Sequence, residues 1–538
     1  MRKNRNEYSV YYNSRHYRSI CISAVLDVLE KLGTSKSLAI AICIREESID
    51  SNLFDICPSD YFDAYAYYCD AQAIALIKKS VWFLETDNKK LEQDAISKWF
   101  TTERDLFTVN NQIRGRKNFR LNSVLDYAAK LIHGILPDCP DEIVSDLFLP
   151  EGATAFLKGL DVSIANKLEV LDITTSALPY FQRKYRSTAF SASITNVMTS
   201  LGSVFSTVPK DYTKVRTIAK EPMGNMCLQL EAAKHIRVAL RRVGIDLKTQ
   251  QDFHKFLTKE FWDSTATIDL SDASDRISIE LVRALLPPDW FTYLNNIRTR
   301  FIFIDGQRVL QEKFTPQGNG FTFELETLLF WAICEATLRL NNGKGLISVY
   351  GDDMIVPIGS AEYIHESLQM CGFLVNTKKS YHTGFFRESC GSDTFKGINV
   401  RPVYLKKFRK GLYGYYELYN QIVAIEEKMY PDALVRARKR ILSNIAPEHR
   451  AFGPRELGNT VLHAEAYKVM YTDQIRYVRT LQHRIIKLTD ALPLSRYLSI
   501  PTSGRSEHEL AYALLGFSSD GTLLRGSPQR ESFRRVAV

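Results

Sequence analysis

The pattern of apolar and polar positions divides the chain into three long stretches and a short tail. In residues 1–204 apolar residues recur at helical spacing. "SICISAVLDVLEKLG" (19–33) reads as a helix that stops at Gly33, and "YFDAYAYYCDAQAIALIKKSVWFL" (61–84) as a second, with its aromatics in the core. "KWFTTERDLFTVNNQIRGRKNFR" (98–120) is polar and basic and is expected to be irregular. In residues 205–400 short β-runs alternate with helices. "TATIDL" (265–270) predicts a strand and "RISIELVRALL" (276–286) the helix after it. "FIFIDGQRVL" (301–310) predicts a hairpin with a D-G turn. "FTFELETLLFWAICEATLRL" (321–340) predicts a long helix, and "LISVYGDDMIVPI" (346–358) strand, turn and strand. Residues 401–524 return to helix, as in "YELYNQIVAIEEKMY" (416–430) and "YVRTLQHRIIKLTDAL" (477–492). The last residues, 525–538, contain Ser, Gly and Pro, are basic, and are expected to form a mobile tail. Mixed βαβ and hairpin elements imply an α+β fold, a sheet with helices packed on one face.

Composition changes this picture little. The 538 residues are 45% hydrophobic and 24% charged, as in ordinary globular proteins. Lys and Arg number 70 against 61 Asp and Glu, a net charge of +9, which permits a polyanionic partner without requiring one. The nine cysteines have no C-x-x-C spacing, so neither a zinc site nor a redox pair is suggested. The N-terminus is basic, polar and aromatic with no apolar core after its charges, and no apolar run approaches the length of a membrane span. The expectation is a soluble protein of a reducing cytoplasm.

The chemistry centres on "VYGDDMIV" (349–356), where Asp352 and Asp353 interrupt two apolar runs. Carboxylates in a buried strand need a counter-charge. A bare Gly-Asp-Asp arises by chance in roughly one chain in ten of this length, and a type I′ hairpin turn favours it for backbone reasons alone. Asp269, at the end of the "TATIDL" strand, strengthens the signal. If the two strands are neighbours, Asp269 and Asp352 face each other, and like charges that close need compensation. A pair of Mg²⁺ ions would supply it and would serve an in-line phosphoryl transfer.

Other segments fit the same chemistry. "TPQGNGFTFELETLLF" (315–330) is a flexible loop opening a helix, with Thr322 and Glu326 on one helical face after Asn319. "VPKDYTKVRTIAKEP" (208–222) is a basic strand bearing Lys210, Lys214, Arg216 and Lys220, with Lys214 and Arg216 on one face and Val215 and Thr217 on the other. Such a strand suits a channel that admits triphosphates. "EAAKHIRVALRRVG" (231–244) is a basic helix with Lys234, Arg237, Arg241 and Arg242, suited to an RNA backbone or else a solvated face. Lys378 and Lys379 follow a short apolar strand in "CGFLVNTKKS" (371–380).

Read in order, "IDLSDASDRIS", "GNGFTFELE", "YGDD", "NTKKS" and "FRESCGSDTFKG" resemble the palm motifs of RNA-directed RNA polymerases, and more closely the catalytic replicase subunit of the levivirus-type small RNA bacteriophages. The resemblance is specific over about 205–400. It implies a right-hand fold of fingers, palm and thumb, the palm an antiparallel sheet packed on helices. The division is 1–204 for the helical N-terminal region and fingers, 205–400 for the finger strand and palm, and 401–524 for the thumb. It implies Asp269, Asp352 and Asp353 as metal carboxylates for two Mg²⁺ ions, with Mn²⁺ as a substitute. Either Lys378 or Lys379 would protonate pyrophosphate, and "FRESCG" (386–391) would lie near the growing 3′ end. Template and product RNA and nucleoside triphosphates are the implied ligands, host elongation factors Tu and Ts and an S1-type ribosomal protein the implied partners, and the bacterial cytoplasm the implied location.

The chain departs from the broad polymerase pattern at several positions. Asp272 stands where relatives have a small residue. Ser274 stands where a second aspartate is usual, with Asp275 one later, and Glu326 where Asn is usual. The ribose reader is therefore one of Ser274, Asp275, Asn319, Thr322 and Glu326, and Asp275 has a second possible role as a helix cap. Two other classes stay open. A reverse transcriptase shares the palm and a Tyr-x-Asp-Asp turn, but Gly351 and the absence of a bulky aromatic after Asp269 favour RNA synthesis. A non-catalytic RNA-binding or capsid-associated protein would leave the three aspartates without a role.

Overall fold

The computed structural model describes residues 14–49, 51–79, 88–140, 150, 152–157, 162, 167, 170–185, 196–210, 214–405, 411–472, 475–485 and 529–537. The N-terminal residues 1–13 and residues 80–84 and 486–492 of the expected helices lie outside them.

Apolar spacing produces the N-terminal helices α1 (Ser14–Leu32), α2 (Ser35–Arg45) and α3 (Ala64–Lys78). Thr34 caps α2 with a reciprocal pair of bonds to Ser37, and Asp63 caps α3 through Ala66 N–H. The next helix, α4 (Asn88–Gly115), contradicts the expected irregular segment, and Phe119 opens a further helix, α5 (Phe119–Ile135). The inner face of α4 does have helical spacing: Trp99, Glu103, Leu106, Asn110 and Ile113 are all buried. Two of those five are polar, and their partners lie about 170 to 210 residues away, so local hydrophobicity could not reveal the stripe.

A parallel pair, β1 (Val170–Thr174) and β2 (Asn196–Ser200), leads into β3 (Ser203–Pro209) and β4 (Val215–Lys220). After α6 (Met223–Arg241) and α7 (Gln250–Glu260) comes β5 (Thr265–Ile268), the strand expected from "TATIDL". Helix α8 (Ile279–Leu285) is shorter than its predicted span. The hairpin β6 (Phe301–Ile304) and β7 (Gln307–Leu310) forms around Asp305 and Gly306, both at positive φ, as a type I′ D-G turn requires. It joins β3 and β4 in a four-stranded sheet of order β4-β3-β6-β7.

Helix α9 (Thr322–Leu340) is buried along almost its whole length, and α5 and α6 pack against it. Beside it runs a three-stranded antiparallel sheet, β5 with β8 (Ser348–Tyr350) and β9 (Asp353–Pro357), in the order β5-β9-β8. Helix α10 (Ala361–Met370) covers the far side of α9. A second hairpin, β10 (Phe386–Ser389) and β11 (Ser392–Phe395), follows. The architecture is a mixture of helix and sheet, in line with the α+β class.

Helices α11 (Leu412–Glu426) and α12 (Val435–Leu442) do not make a separate core. They share one with α1, α2 and α3, together with Phe386 and Phe395 of the β10–β11 hairpin. Ion pairs reinforce the join: Asp27 of α1 is buried and receives Arg436 at 3.0 Å and Arg440 at 2.6 Å from α12. The "YVRTLQHRIIKLTDAL" stretch is not helical where described. Residues 475–485 form a strand, β13, paired with β12 (Met470–Thr472) on one side and with β14 (Gln529–Ala537) on the other. The expected mobile tail is thus a paired strand over 529–537. The long pairing that joins 475–485 to 529–537 is remote in sequence, and strand formation depends on pairing more than on intrinsic preference.

Removing the α1–α12 clasp tests whether it holds the two ends of the chain together. Asp27→Ala leaves Arg440 without its carboxylate and Arg436, which is largely exposed, with Glu30 alone at 3.6 Å. The expected loss is about 1–3 kcal/mol, read by urea unfolding. A change below about 0.5 kcal/mol would show that apolar packing alone secures the join.

Candidate active site

The β5–β9 register carries the site. Ile268 pairs with Met354, so one residue further brings Asp269 level with Asp353 at the same end of the sheet. Tyr350 pairs with Asp353, leaving Gly351 and Asp352 as a two-residue turn. Gly351 alone has positive φ (+63°), so the turn follows the II′ pattern and not the I′ turn that would explain Gly-Asp-Asp on backbone grounds alone. Gly351 N–H donates to Thr327 Oγ1 at 2.9 Å. A Cβ at this position would lie 2.5 Å from the Phe323 ring and 3.0 Å from Glu326 Oε1, so no larger residue fits. The turn is seated on the first turns of α9.

The three aspartates differ in surroundings. Asp352, at the apex, is exposed, which corrects the expectation that both neighbours are buried. Asp353 is half-buried and its Oδ2 accepts from Cys390 N–H at 3.1 Å. Its carboxyl is pushed up to about 7 by burial, then by Asp352 and Asp269, against the pull of that N–H. Asp269 Oδ2 accepts from Asn376 Nδ2 at 2.7 Å, and its backbone is tied to Asn376 N–H and to Ser380. Burial raises its carboxyl as well, opposed by Lys379 and Asn376.

Of the two candidate lysines, Lys379 is the one whose charge reaches this cluster. Burial works against its charge, but Glu388, Asp269, Asp353 and Asp352 outweigh that and raise its pKa. Both lysines reach solvent, and the Lys378 carbonyl accepts from the Tyr381 hydroxyl. Glu388 stands directly across the hairpin from Asp393, and burial together with Asp393 raises its own carboxyl.

The Gly-rich loop closes a second side. Gly318, at φ +112°, lies so near β4 that a Cβ would meet Ala219 O at 2.3 Å. Gly320 N–H donates to Gln229 of α6, and Thr322 Oγ1 to Pro316 O at 3.2 Å. Asn319 is buried, with Oδ1 accepting from Phe321 N–H and Nδ2 without a partner. Glu326 is buried with Oε2 also without a partner, and burial, Asp352, Glu324 and Asp275 hold its carboxyl well above the usual range. Both atoms are buried polar groups whose hydrogen-bonding capacity is unused within the protein. Ser274 and Asp275 sit in a short 3₁₀ turn after β5, both half-buried. Asp275 Oδ1 accepts from Lys313 Nζ at 3.0 Å and Oδ2 from Thr217 Oγ1 at 3.4 Å. Its alternative role as a cap is filled by Ser278, whose Oγ accepts from Leu281 N–H.

The basic segments are only partly gathered. Lys210 acts on Asp269 electrostatically. Lys214 and Arg216 are exposed and Lys220 half-buried, while Thr217 on the opposite face of β4 touches Asp275. On α6, Lys234 and Arg241 are exposed, but Arg237 pairs with Glu324 at 2.5 Å and Arg242 donates to Ile135 O. Asp272, without a role from sequence, has φ +54° and pairs with Lys98 of α4 at 2.6 Å. Asn376, Lys313, Thr217 and the Cys390 amide were not singled out from sequence. The first and last lie inside "NTKKS" and "FRESCG", but nothing local marks which atom points at an aspartate.

The chemistry of the donor set suits a hard divalent cation. Among the described residues no three His, Cys, Asp or Glu side chains are grouped tightly enough to hold a metal by themselves. Mg²⁺ does not need such a cage: it takes one or two carboxylates and completes its shell with water and substrate phosphate. Mutually repelling carboxylates, one of them exposed, fit that mode.

Comparison with known proteins gives the following. A family model described as RNA replicase, beta-chain, matches residues 26–500. The RNA-directed RNA polymerase beta chain of Escherichia phage MS2 is 44% identical over 208 residues, 38% of this chain and 38% of that protein. The beta chain of Enterobacteria phage GA is 35% identical over 300 residues, 53% of this chain and 56% of that one. These alignments span about two fifths to just over half the length of those relatives. A solved RNA-dependent RNA polymerase of a human picorbirnavirus is similar only weakly, at 15% identity and TM-score 0.31, over 46% of this chain and 59% of that one.

The carboxylate cluster makes a pH-dependent prediction. Asp353 moves from the ordinary 3.8 to about 7 on folding. The folded state therefore binds the proton more tightly, and between those values stability falls as pH rises. A bound cation replaces the proton. Mg²⁺ should thus raise the melting temperature more at about pH 7.5 than at about pH 5.5, and Asp353→Asn should shrink that difference. An equal Mg²⁺ effect at both pH values in the unsubstituted protein would separate Asp353 from cation binding.

Proposed function

The chain belongs to the RNA replicase beta-chain family, and we propose that it is the catalytic chain of an RNA-directed RNA polymerase that replicates a single-stranded RNA phage genome. The observation that carries this reading is the β5–β9 register, which brings Asp269 level with Asp353 and next to Asp352, beside a Gly-rich loop with unmet polar groups.

Asp269 and Asp352, with Asp353 beside them, would hold two Mg²⁺ ions, for which Mn²⁺ could substitute. When bound, these ions activate the 3′-hydroxyl and stabilise the departing pyrophosphate. Asn376 and the Cys390 amide orient the carboxylates of Asp269 and Asp353. Lys379 keeps its proton in the field of the carboxylates and delivers it to pyrophosphate. Lys210, Lys214, Arg216 and Lys220 line the approach of the triphosphate. Asp275, with Asn319, Thr322, Glu326 and Ser274 around it, reads the ribose. Lys234 and Arg241, with Arg237 and Arg242, meet the RNA backbone. "FRESCG" lies against the growing 3′ end.

The proposed architecture is a right hand, with the helical N-terminal region and fingers in 1–204, finger strand and palm in 205–400 and thumb in 401–524. Template and product RNA and nucleoside triphosphates are the ligands. Host elongation factors Tu and Ts and an S1-type ribosomal protein are the partners, and the bacterial cytoplasm is the site of action. Among the described residues no helix is long and apolar enough to cross a membrane.

The test is primer extension on a defined RNA template with Mg²⁺, ribo- or deoxyribonucleotides, and with or without host lysate. Preference for deoxyribonucleotides would favour a reverse transcriptase. Asp269→Asn and Asp352→Asn should each reduce incorporation by at least about a hundredfold with the melting transition kept, because each removes charge where charge develops. Near-normal turnover in either would rule out the metal site as drawn. Arg216→Ala should raise the triphosphate KM about tenfold and affect template affinity less. The reverse pattern would move Arg216 to an RNA groove.

A further inference from the structure

We propose that Lys313 is a positioning residue for sugar selection: held from behind by Glu103 and Trp99 of α4, it fixes the carboxylate of Asp275 in the orientation that reads the ribose. The inference rests on the ribose-reading role proposed for Asp275.

Lys313 lies between β7 and the Gly-rich loop, and its side chain is fully buried. A buried ammonium persists only where partners offset its desolvation. It has two. Nζ is 3.0 Å from Asp275 Oδ1 and 3.2 Å from Glu103 Oε1, and it sits 4.6 Å from the centre of the Trp99 ring. None of these anchors is loose. Glu103 Oε2 accepts from Glu312 N–H at 2.5 Å. Phe314 N–H donates to Ile277 O at 2.7 Å, and Ser278 bridges Lys313, so the backbone around the lysine is stitched to the segment just after Asp275.

This arrangement divides the labour between the two oxygens of Asp275. Oδ1 is fixed by a charge-assisted bond, the strong kind. Oδ2 has only the long 3.4 Å contact from Thr217, and so remains able to accept from a hydroxyl. Glu103 shares the ammonium, which keeps Lys313 from neutralising Asp275 alone. Asp275 also acts electrostatically on Glu326, so the two ribose candidates belong to one neighbourhood. Without Lys313, the Asp275 carboxylate would face Glu103 and Glu326 with nothing to hold its orientation. The 3₁₀ turn that carries it is too short to do so. A site that selects by hydrogen-bonding a hydroxyl depends on that bond being aimed.

The experiment measures the ratio of incorporation efficiencies, ribo- over deoxyribonucleotide, opposite one template base, with melting curves for every variant. Lys313→Met alone leaves two buried carboxylates facing each other and risks misfolding, so the deciding variant is Glu103→Gln/Lys313→Met, which removes a balanced pair. It should lower the ratio at least about tenfold, through a higher ribonucleotide KM, while the deoxyribonucleotide efficiency falls far less. Glu103→Gln alone keeps the Lys313–Asp275 bond and should hold the ratio within about twofold. A merely structural role would depress both nucleotides alike. An unchanged ratio in a folded double variant, with Asp275→Ala lowering the ratio, overturns the role of Lys313 and leaves the ribose reading standing. An unchanged ratio in Asp275→Ala overturns the ribose reading and this inference together.

Discussion

Repulsion among carboxylates at one end of the β5–β9–β8 sheet is the constraint around which the rest is arranged. Burial raises the carboxyls of Asp269, Asp353, Glu326 and Glu388, and neighbouring carboxylates add to it: Asp352 on the first three, Asp393 and Asp269 on Glu388. Such a cluster is unstable in isolation and persists only because its scaffold leaves the carboxylates no route apart. The strand register holds Asp269 to Asp353, and a glycine turn pressed on Phe323 and Glu326 holds Asp352 at the apex.

The scaffold is stiff where the charges are concentrated. Helix α9 is buried nearly throughout and carries Thr327, which fixes the turn, and Glu326, which faces it. Asn376 and the Cys390 amide reach the carboxylates from two further elements. Each is a hydrogen bond to the charged form, and so resists the protonation that burial favours. The remaining compensation comes from cations at a distance, Lys379 and Lys210, and is incomplete.

Helix α4 extends this logic away from the sheet. Its buried face mixes Trp99, Leu106 and Ile113 with Glu103 and Asn110, and each polar member meets a distant partner: Lys313 for Glu103, and Glu312 with the Glu280 amide for Asn110. Lys98, at the edge of that face, pairs with Asp272. A polar inner stripe costs local legibility and gains register, because polar pairs tolerate misalignment less than apolar contacts do. The helix thereby lines up with both the 3₁₀ turn after β5 and the segment that opens the Gly-rich loop.

What could be read from sequence alone was whatever local chemistry determines. Hairpin turns, apolar strands and the long apolar helix follow from neighbours within a few residues, and "TATIDL", "FIFIDGQRVL" and the 321–340 helix formed as expected. The aspartates were legible because charge inside an apolar strand has few explanations. Tertiary structure decided the rest. It brought the charge of Lys379 into the field of the aspartates, gave the helix cap to Ser278, paired Asp275 with Lys313, and exposed Asp352 while half-burying Asp353. It also made a helix of a polar segment and strands of 475–485 and 529–537. The physical reason is common to most of these: the deciding partner is far away in the chain, and a hydrogen bond or ion pair carries no trace in the local pattern until folding brings its two ends together.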